Sequence, residues 1–552
     1  MAAGFTAADV AVVIPTRDRW PILARTLDGL RRQSAGGFET VVVVDGTDQA
    51  VPDLGAVTVV VKEQGGPGAA RNAGARATDR PIVLFLGDDM LPAADLVARH
   101  VHRHNANREE TAAVLGHVDW HEEVAANRIA RWLDWSSTQF DYRSIAGEDA
   151  GFGRFYSCNV SLKRRFFLSA GGFDESFTYY YEDLDCGYRL GQKGMQLHYE
   201  PAARTAHLHR YDWDSLERRF RGVAIGEHHM AAVHPWFSPF FLDRVRAAVA
   251  ESPPSRMWPA VVDRVPGSLG AVRAAAERRA NRSYYARLAA PFLSGWAGAA
   301  DLAELQAYLG DEFDQDLLTG HEHQVDAERD RAVDEETFYR TSRMYLYDLT
   351  VFAMSGTKAP YLADLLAEVR PGASLLDYGC GIGADGLRLA GAGYQVSFAD
   401  FANPSTEYLR WRLARRGMNA DVFDLDADDI PSGFDAAYSF DVIEHVEDPF
   451  AFLAELEQRA AVIAVNFLEE DPHDTDLHRP LPIPALLDHA AASGLLHYRK
   501  YHDRSHLVIY RSPRGARRAG WDRLGDRTRS LAQRHLGARL PGRPGWHPVP
   551  AA

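Results

Sequence analysis

From Asp9 to about Glu251, short β-branched runs alternate with amphipathic stretches. VAVVIP comes first, then a helical pattern from Pro21 to Gln33, TVVVVD, VTVVV, a glycine-rich turn with a helix behind it, and PIVLFLGDD. That alternation predicts βαβ units and a mostly parallel sheet. Residues 253–335 break the pattern. They open on SPPSRMWP, become rich in Ala and Arg at helical spacing, and end in the charged HEHQVDAERDRAVDEE, which together predict a helical connector. A second βαβ series starts near Glu336 and runs through SLLDYGCGIG, YQVSFAD, ADVFDLD, FDAAYSFD and AAVIAVNFL. It ends in HYRKYHDRSHLVIYRS, two β-rich halves about a turn, which predicts a closing antiparallel hairpin. The expected fold class is α/β, with domains at 1–252 and 336–512, the connector at 253–335 and an Arg/Gly/Pro-rich tail at 513–552. The tail reads as a solvated extension, with an anion-binding arm as the other reading.

Composition narrows the picture. A chain of 552 residues exceeds what one hydrophobic core supports, so at least two domains are expected. A formal charge of −15 argues against general nucleic-acid binding, which relies on clustered Lys and Arg. Three cysteines, Cys158, Cys186 and Cys380, form neither a disulfide framework nor a zinc-like spacing and suggest a reducing compartment. MAAGFTAADV lacks a basic head and an apolar core, and the apolar stretch Leu288–Ala300 falls short of the ~20 residues of a spanning helix. The expectation is a soluble, cytoplasmic protein with no transmembrane segment.

Candidate chemistry lies at the strand ends. The run VLFLGDD, residues 83–89, stops on Asp88 and Asp89, delivering charge at a sheet edge, where open α/β folds bind ligands. Pro15-Thr16-Arg17-Asp18, Asp45-Gly46-Thr47-Asp48 and the loop GGPGAARNAG supply further polar groups. A strand-end acid can accept from a base or hold ribose hydroxyls, and a glycine-rich loop lets backbone N–H groups approach phosphates. The alternative for Asp88 and Asp89 is helix capping, since Pro92 and AADLVARH look like a helix start.

With CNVSLKR, GGFDE and YYEDLDCGYRL following in order, residues 9 to about 230 resemble the family 2 glycosyltransferases of the GT-A fold. The resemblance implies inverting transfer from a nucleotide-diphosphate sugar, assisted by Mg²⁺ or Mn²⁺. It implies Asp89 as a metal ligand, with His207 and His209 at the position of a further one. Gly87 stands where the family's first Asp usually sits, with Asp88 beside it as a substitute donor contact. Asp45 is implied to recognise the base, with Pro15, Thr16 and Arg17 nearby and Arg71 close to the donor; the role of Asp48 stays open. Asp183, next to Glu182, is implied as the base that takes the acceptor's proton; capping a helix is its bland alternative. Trp120, Trp132 and Trp135 could stack on an acceptor, or pack a core.

In SLLDYGCGIGADGLRLAGAGYQVSFAD, a strand leads into a loop carrying Gly379, Gly381 and Gly383, then a helix and a second strand ending in Asp400. Glycines admit close backbone approach and the acid binds ribose hydroxyls, so this reads as a nucleoside site. The spacing from Asp377 onward, with DLDADDIPSGFDAAYSF and DVIEHVEDP, resembles the class I S-adenosylmethionine-dependent methyltransferases. The resemblance implies S-adenosylmethionine as donor, contacts from Asp377, Gly379, Gly381, Gly383, Asp400, Asp426 and Asp441, and His445 as a candidate base for O-methylation. Alternatively, Glu444 and His445 shape the pocket, or Asp441, Glu444 and His445 with His473 and His478 bind a divalent metal. The expected function is bifunctional: sugar transfer to a small-molecule, glycan or peptide acceptor, plus methylation of the product or its sugar, in an order the sequence leaves open. Its alternative keeps one active domain with the other as a binding module. UDP is the expected nucleotide, though dTDP and GDP suit the same residues.

Overall fold

A computed structural model describes residues 4–47, 49–178, 180–251, 257–265, 268–315, 317–318, 325, 328–329, 332–333, 335–469 and 478–513. Two compact units divide the chain: Met1–Arg244 with Pro254–Tyr285, and Val245–Pro253 with Ala286–Ala552. The Arg/Gly/Pro-rich tail falls almost wholly on residues outside those described.

In the first unit the strands are β1 (Val10–Thr16), β2 (Glu39–Asp45), β3 (Thr58–Lys62), β4 (Ile82–Leu86), β5 (Met90–Pro92), β6 (Ala112–Trp120), β7 (Asn159–Lys163) and β8 (Gln196–His207). They form one eight-stranded sheet in the order β3-β2-β1-β4-β7-β6-β8-β5. The first four are mutually parallel, as the βαβ pattern predicts. Beyond β4 the sheet is mixed: β7 runs antiparallel to β4 and β6, and β5 antiparallel to β8. The β-branched runs of β1, β2 and β4 are buried because helices cover both faces. The helix Gly66–Arg76 approaches the sheet at Gly74, where a Cβ would stand 2.3 Å from Val13 Cγ1.

A buried polar chain runs between the helix Leu96–Ala106 and β7. His100 Nδ1 and His104 Nε2 lie 2.8 and 2.9 Å from Ser161 Oγ, and Lys163 Nζ is 3.0 Å from His104 Nδ1. Burial pushes the His100 imidazole down to about 4, and burial reinforced by the Lys163 charge holds His104 well below its usual value. The folded chain therefore resists protonation that the unfolded chain accepts below about pH 6.5. Their contribution to stability is full above that pH and falls below it, for His100 down to about 4, by up to about 1.4 kcal/mol per pH unit for each histidine. Urea unfolding of the first unit is expected to show its midpoint dropping from pH 7 to pH 5, with a shallower drop in His104→Gln. An equal slope in the variant would contradict this.

The second unit carries β9 (Ser374–Tyr378), β10 (Gln395–Asp400), β11 (Val422–Asp424), β12 (Phe434–Ser439), β13 (Ala460–Leu468), β14 (Leu495–Tyr501) and β15 (Ser505–Arg511). Their order is β11-β10-β9-β12-β13-β15-β14. The first five are parallel, and the expected closing hairpin is present, with β15 antiparallel to both β13 and β14. The α/β class thus holds in both units. The helix Gly270–Leu309 belongs to both units, its residues from Ala286 onward grouping with the second. There Asp301 pairs with Arg388 at 2.7 Å and with Arg412, and Glu304 pairs with Arg412 and Arg416 at 2.7 Å each. Among the described residues, no helix is long and apolar enough to cross a membrane.

Candidate active sites

Gly87 closes β4 with a tight turn, in which the Met90 N–H donates to the Gly87 carbonyl at 3.2 Å. Asp88 and Asp89 therefore sit between β4 and β5. Because β5 pairs with β8, Met90 lies opposite His207, which brings the end of β8 onto the turn. His207 Nε2 is 3.3 Å and His209 Nδ1 3.6 Å from Asp89 Oδ2, and one ligand atom from each of the three residues lies within 4.8 Å of the others. Burial alone pushes Asp89 up, but His207, His209 and Arg19 hold it well below the usual carboxylate range. Asp88 is pushed up to about 6 by burial and by the charge of Asp89, against Arg19 and Thr16. Neither acid caps a helix, since the next one begins at Leu96 behind Asp95.

Arg19 is the residue that sequence reasoning missed. Its Nη1 donates to Asp88 at 2.7 Å and its Nη2 to Asp89 at 2.8 Å, so one guanidinium bridges both acids. The signal was present in PTRDR, which offers two arginines; Arg17, the expected one, is exposed. Thr16 Oγ1 donates to Asp88 at 2.8 Å, and Pro15 precedes it at the same strand end. Asp45 ends β2 and accepts from the Gly65 and Gly66 N–H groups at 2.9 and 2.8 Å and from Lys62 Nζ at 2.8 Å. It thereby fixes the glycine-rich loop. Asp48 lies outside the described residues.

The helix Glu182–Gln192 starts after Tyr180 and Tyr181, both at positive φ (49° and 68°). Tyr181 occupies the capping position, and its hydroxyl donates to Glu227 at 2.7 Å, so Glu182 and Asp183 are the first helical residues and not its cap. Arg71 Nη1 lies 3.4 Å from Glu182, which burial and the Asp183 charge push up to about 7. Asp183 Oδ2 accepts the Ser157 N–H at 2.9 Å, while its buried Oδ1 has no hydrogen-bond partner among the described residues. Burial raises its pKa, with Arg71 opposing. A buried carboxylate oxygen left unengaged is suited to receive a proton.

The tryptophans separate. Trp132 is fully buried and stacks on Tyr284 at 4.4 Å, and Trp135 packs with Val262 and Ala276; both serve the core. Trp120 stacks on the His207 ring at 5.0 Å. It also lines a cavity of about 300 Å³ with Asp119, Gln139, Phe140 and Tyr142. Gln139 in turn accepts from Arg219 at 2.9 Å.

In the second unit, a cavity of about 690 Å³ opens beside the loop after β9, lined by Asp377, Gly379, Gly381 and Asp400 among others. Gly379, Gly381 and Gly383 have φ of 75°, 50° and 69°, and a Cβ on Gly379 would stand 2.7 Å from Val442. Asp400 accepts the Gly381 and Phe401 N–H groups at 2.7 Å each, holding the loop against β10. Burial, with Asp385 nearby, pushes Asp377 up to about 7. Asp441, at φ 56°, is held by Asn466 Nδ2 at 2.6 Å and faces Lys358 Nζ at 3.5 Å. Asp426 is half-exposed and pairs with Arg340, and Leu425 lines the cavity at that turn instead. His445 also lines it, with the Tyr339 hydroxyl 3.1 Å from its Nδ1. Tyr339, Lys358 and Asn466 lie outside the motifs and carried no sequence signal. Glu444 and His478 join His445; His473 falls outside the described residues.

Comparison with known proteins gives each unit a family. The model for Glycosyl transferase family 2 matches residues 11–167, and a Methyltransferase domain model matches residues 375–462. Validoxylamine A glucosyltransferase of Streptomyces hygroscopicus subsp. jinggangensis is 30% identical over 225 residues, 34% of this chain and 52% of that protein. Pre-mycofactocin glycosyltransferase of Mycobacterium tuberculosis is 29% identical over 250 residues, 41% of this chain and 48% of that one. Ubiquinone biosynthesis O-methyltransferase of Xanthomonas campestris pv. campestris is 33% identical over 106 residues, 18% of this chain and 43% of that protein. The chain thus spans about half the length of these three curated relatives or less.

Proposed function

We propose that this chain, which joins a family 2 glycosyltransferase domain to a methyltransferase domain, transfers a sugar from a nucleotide-diphosphate donor and methylates the product or its sugar with S-adenosylmethionine. The observation that carries the reading is the meeting of Asp89, His207 and His209 at one strand end of the first unit. Two imidazoles and a carboxylate suit a divalent ion with affinity for nitrogen, so Mn²⁺ fits these donors better than Mg²⁺. Such an ion, once bound, would offset the charge of the departing diphosphate.

The chain's own residues do the rest. Asp45 fixes the glycine-rich loop, leaving the backbone at the start of the helix Gly66–Arg76 available to phosphates. Asp183 Oδ1 takes the proton of the acceptor hydroxyl as that oxygen attacks the anomeric carbon; the bond to the diphosphate breaks and the configuration inverts. Trp120 and the 300 Å³ cavity suit a small polar acceptor. In the second unit, Asp400 and the three glycines shape the space for a nucleoside, and the 690 Å³ cavity leaves room for an acceptor beside it. Methyl transfer needs in-line approach in a dry pocket, with His445 as the base where the acceptor is a hydroxyl.

Thermal unfolding of the whole chain tests both halves. UDP-sugars with Mn²⁺ are expected to raise one unfolding transition and S-adenosylmethionine the other, each by the equivalent of about 2.7 kcal/mol at a hundred times Kd. A UDP-, dTDP- and GDP-sugar panel without effect would overturn the glycosyl-transfer reading.

A further inference from the structure

We propose that Glu227 is a positioning residue for glycosyl transfer: through the Tyr181 hydroxyl it holds the turn from which Asp183 projects. The inference rests on the reading of Asp183 as the group that takes the acceptor's proton.

The turn is one that the backbone does not favour by itself. Tyr180 and Tyr181 both lie in the left-handed region, at φ 49° and 68°, immediately before the helix Glu182–Gln192. A Cβ is crowded there, so two such residues in succession persist only where surrounding contacts impose them. The Asp185 N–H donates to the Tyr181 carbonyl at 3.0 Å, which makes that strained residue the first hydrogen-bonded step of the helix. Asp183 stands in the same turn, and the direction of its Oδ1 is set by how the turn is held.

One neighbouring helix, Trp213–Val233, supplies the holding contacts. Glu227 is 0% exposed, and its Oε1 accepts the Tyr181 hydroxyl at 2.7 Å and the Phe241 N–H at 2.8 Å, while its Oε2 accepts the Leu242 N–H at 2.9 Å. About two turns earlier on that helix, the Arg219 guanidinium lies 5.6 Å from the centroid of the Tyr180 ring. The Phe237 ring packs edge-on against Tyr181 at 5.5 Å. Among the described residues no cation pairs with Glu227, so its buried carboxylate is not one half of an ion pair. Its three partners are all donors. A carboxylate accepts from every one of them, whereas an amide in its place turns an NH2 group toward one.

Hydrogen exchange and kinetics on the full chain test the inference, with Tyr181→Phe and Glu227→Gln, which keep the shape of each side chain. Exchange over residues 181–186 is expected to quicken in both variants while that of β1 is unchanged; exchange equal to that of the unaltered chain overturns the proposal. UDP release from a UDP-sugar with Mn²⁺, to water or an added hydroxyl compound, reads the chemistry. Since a misplacement of about 1 Å costs on the order of 10²-fold, kcat should fall at least about tenfold, with KM for the donor within about threefold. An unchanged kcat overturns the positioning role. Added to Asp183→Asn, Tyr181→Phe should lower the remaining rate by less than about twofold, because a residue acting through Asp183 has nothing left to place. A further tenfold loss there overturns the proposal as well. Should Glu227→Gln fail to fold, Tyr181→Phe alone carries the test. Quickened exchange in a protein whose unaltered form releases no UDP upholds the hold of Glu227 on the turn and overturns the glycosyl-transfer reading beneath it.

Discussion

Asp89→Asn is expected to lower glycosyl transfer by about 10³-fold, while S-adenosylmethionine binding stays within twofold of the unaltered chain. The substitution keeps the shape of the side chain and removes the charge on which His207, His209 and Arg19 converge. An ion at a departing diphosphate contributes several kcal/mol to transition-state stabilisation, and about 4 kcal/mol corresponds to a thousandfold rate. The measurement is kcat against Mn²⁺ concentration with the UDP-sugar that thermal unfolding selects. Loss of less than tenfold would transfer the metal role to Asp88 or remove it from the reaction. Asp183→Asn is not equivalent: on the proposed mechanism it would remove the proton acceptor and leave metal binding intact, so Mn²⁺ affinity is expected to tell the two variants apart.

Asp301→Ala is expected to destabilise the second unit by up to about 3–5 kcal/mol, because Arg388 and Arg412 lose the buried carboxylate they share and Arg412 keeps only Glu304. The Asp301 side chain is 4% exposed and that of Arg412 0%, so neither charge is relieved by water. Arg412 also donates to the Ile382 carbonyl at 2.9 Å, within the loop that follows Gly381. The same substitution is therefore expected to weaken S-adenosylmethionine binding. Chemical denaturation monitored at the second transition reads the first effect, and calorimetry the second. Pairing Asp301→Leu with Arg412→Met removes both charges at similar volume and should recover most of the stability. A double variant no more stable than Asp301→Ala would assign the loss to packing.

Much of this was legible in the sequence because strand-end chemistry is local. VLFLGDD places Asp88 and Asp89 at a sheet edge from hydrophobic pattern alone, and the structure puts the turn there. The glycines after β9 and the acid ending β10 read the same way. What stayed hidden depends on contacts distant in sequence. That His207 reaches Asp89 was implied by the family resemblance alone, since it depends on β5, a three-residue strand with almost no pattern of its own, pairing with β8. Arg19 and Arg17 are indistinguishable as letters, and only the turn through Asp18, at φ 52°, decides which of them faces the acids. The mixed half of the sheet is similarly silent, since an alternating run does not state the direction of its neighbour. Asp301 and Glu304 look like surface charges on an Ala-rich helix until Arg388, Arg412 and Arg416 are brought against them.

The Arg19 bridge also bears on the order in which ligands enter. A guanidinium already offsets one charge of the pair, so an arriving cation would meet a resident of its own sign and have to displace or share it. The same three donors without that arginine would capture a naked ion more strongly. On the proposed glycosyl transfer, a pyrophosphate would offer Arg19 another anion to grip and free the carboxylates, so an ion would be best accepted as a chelate already riding on the donor.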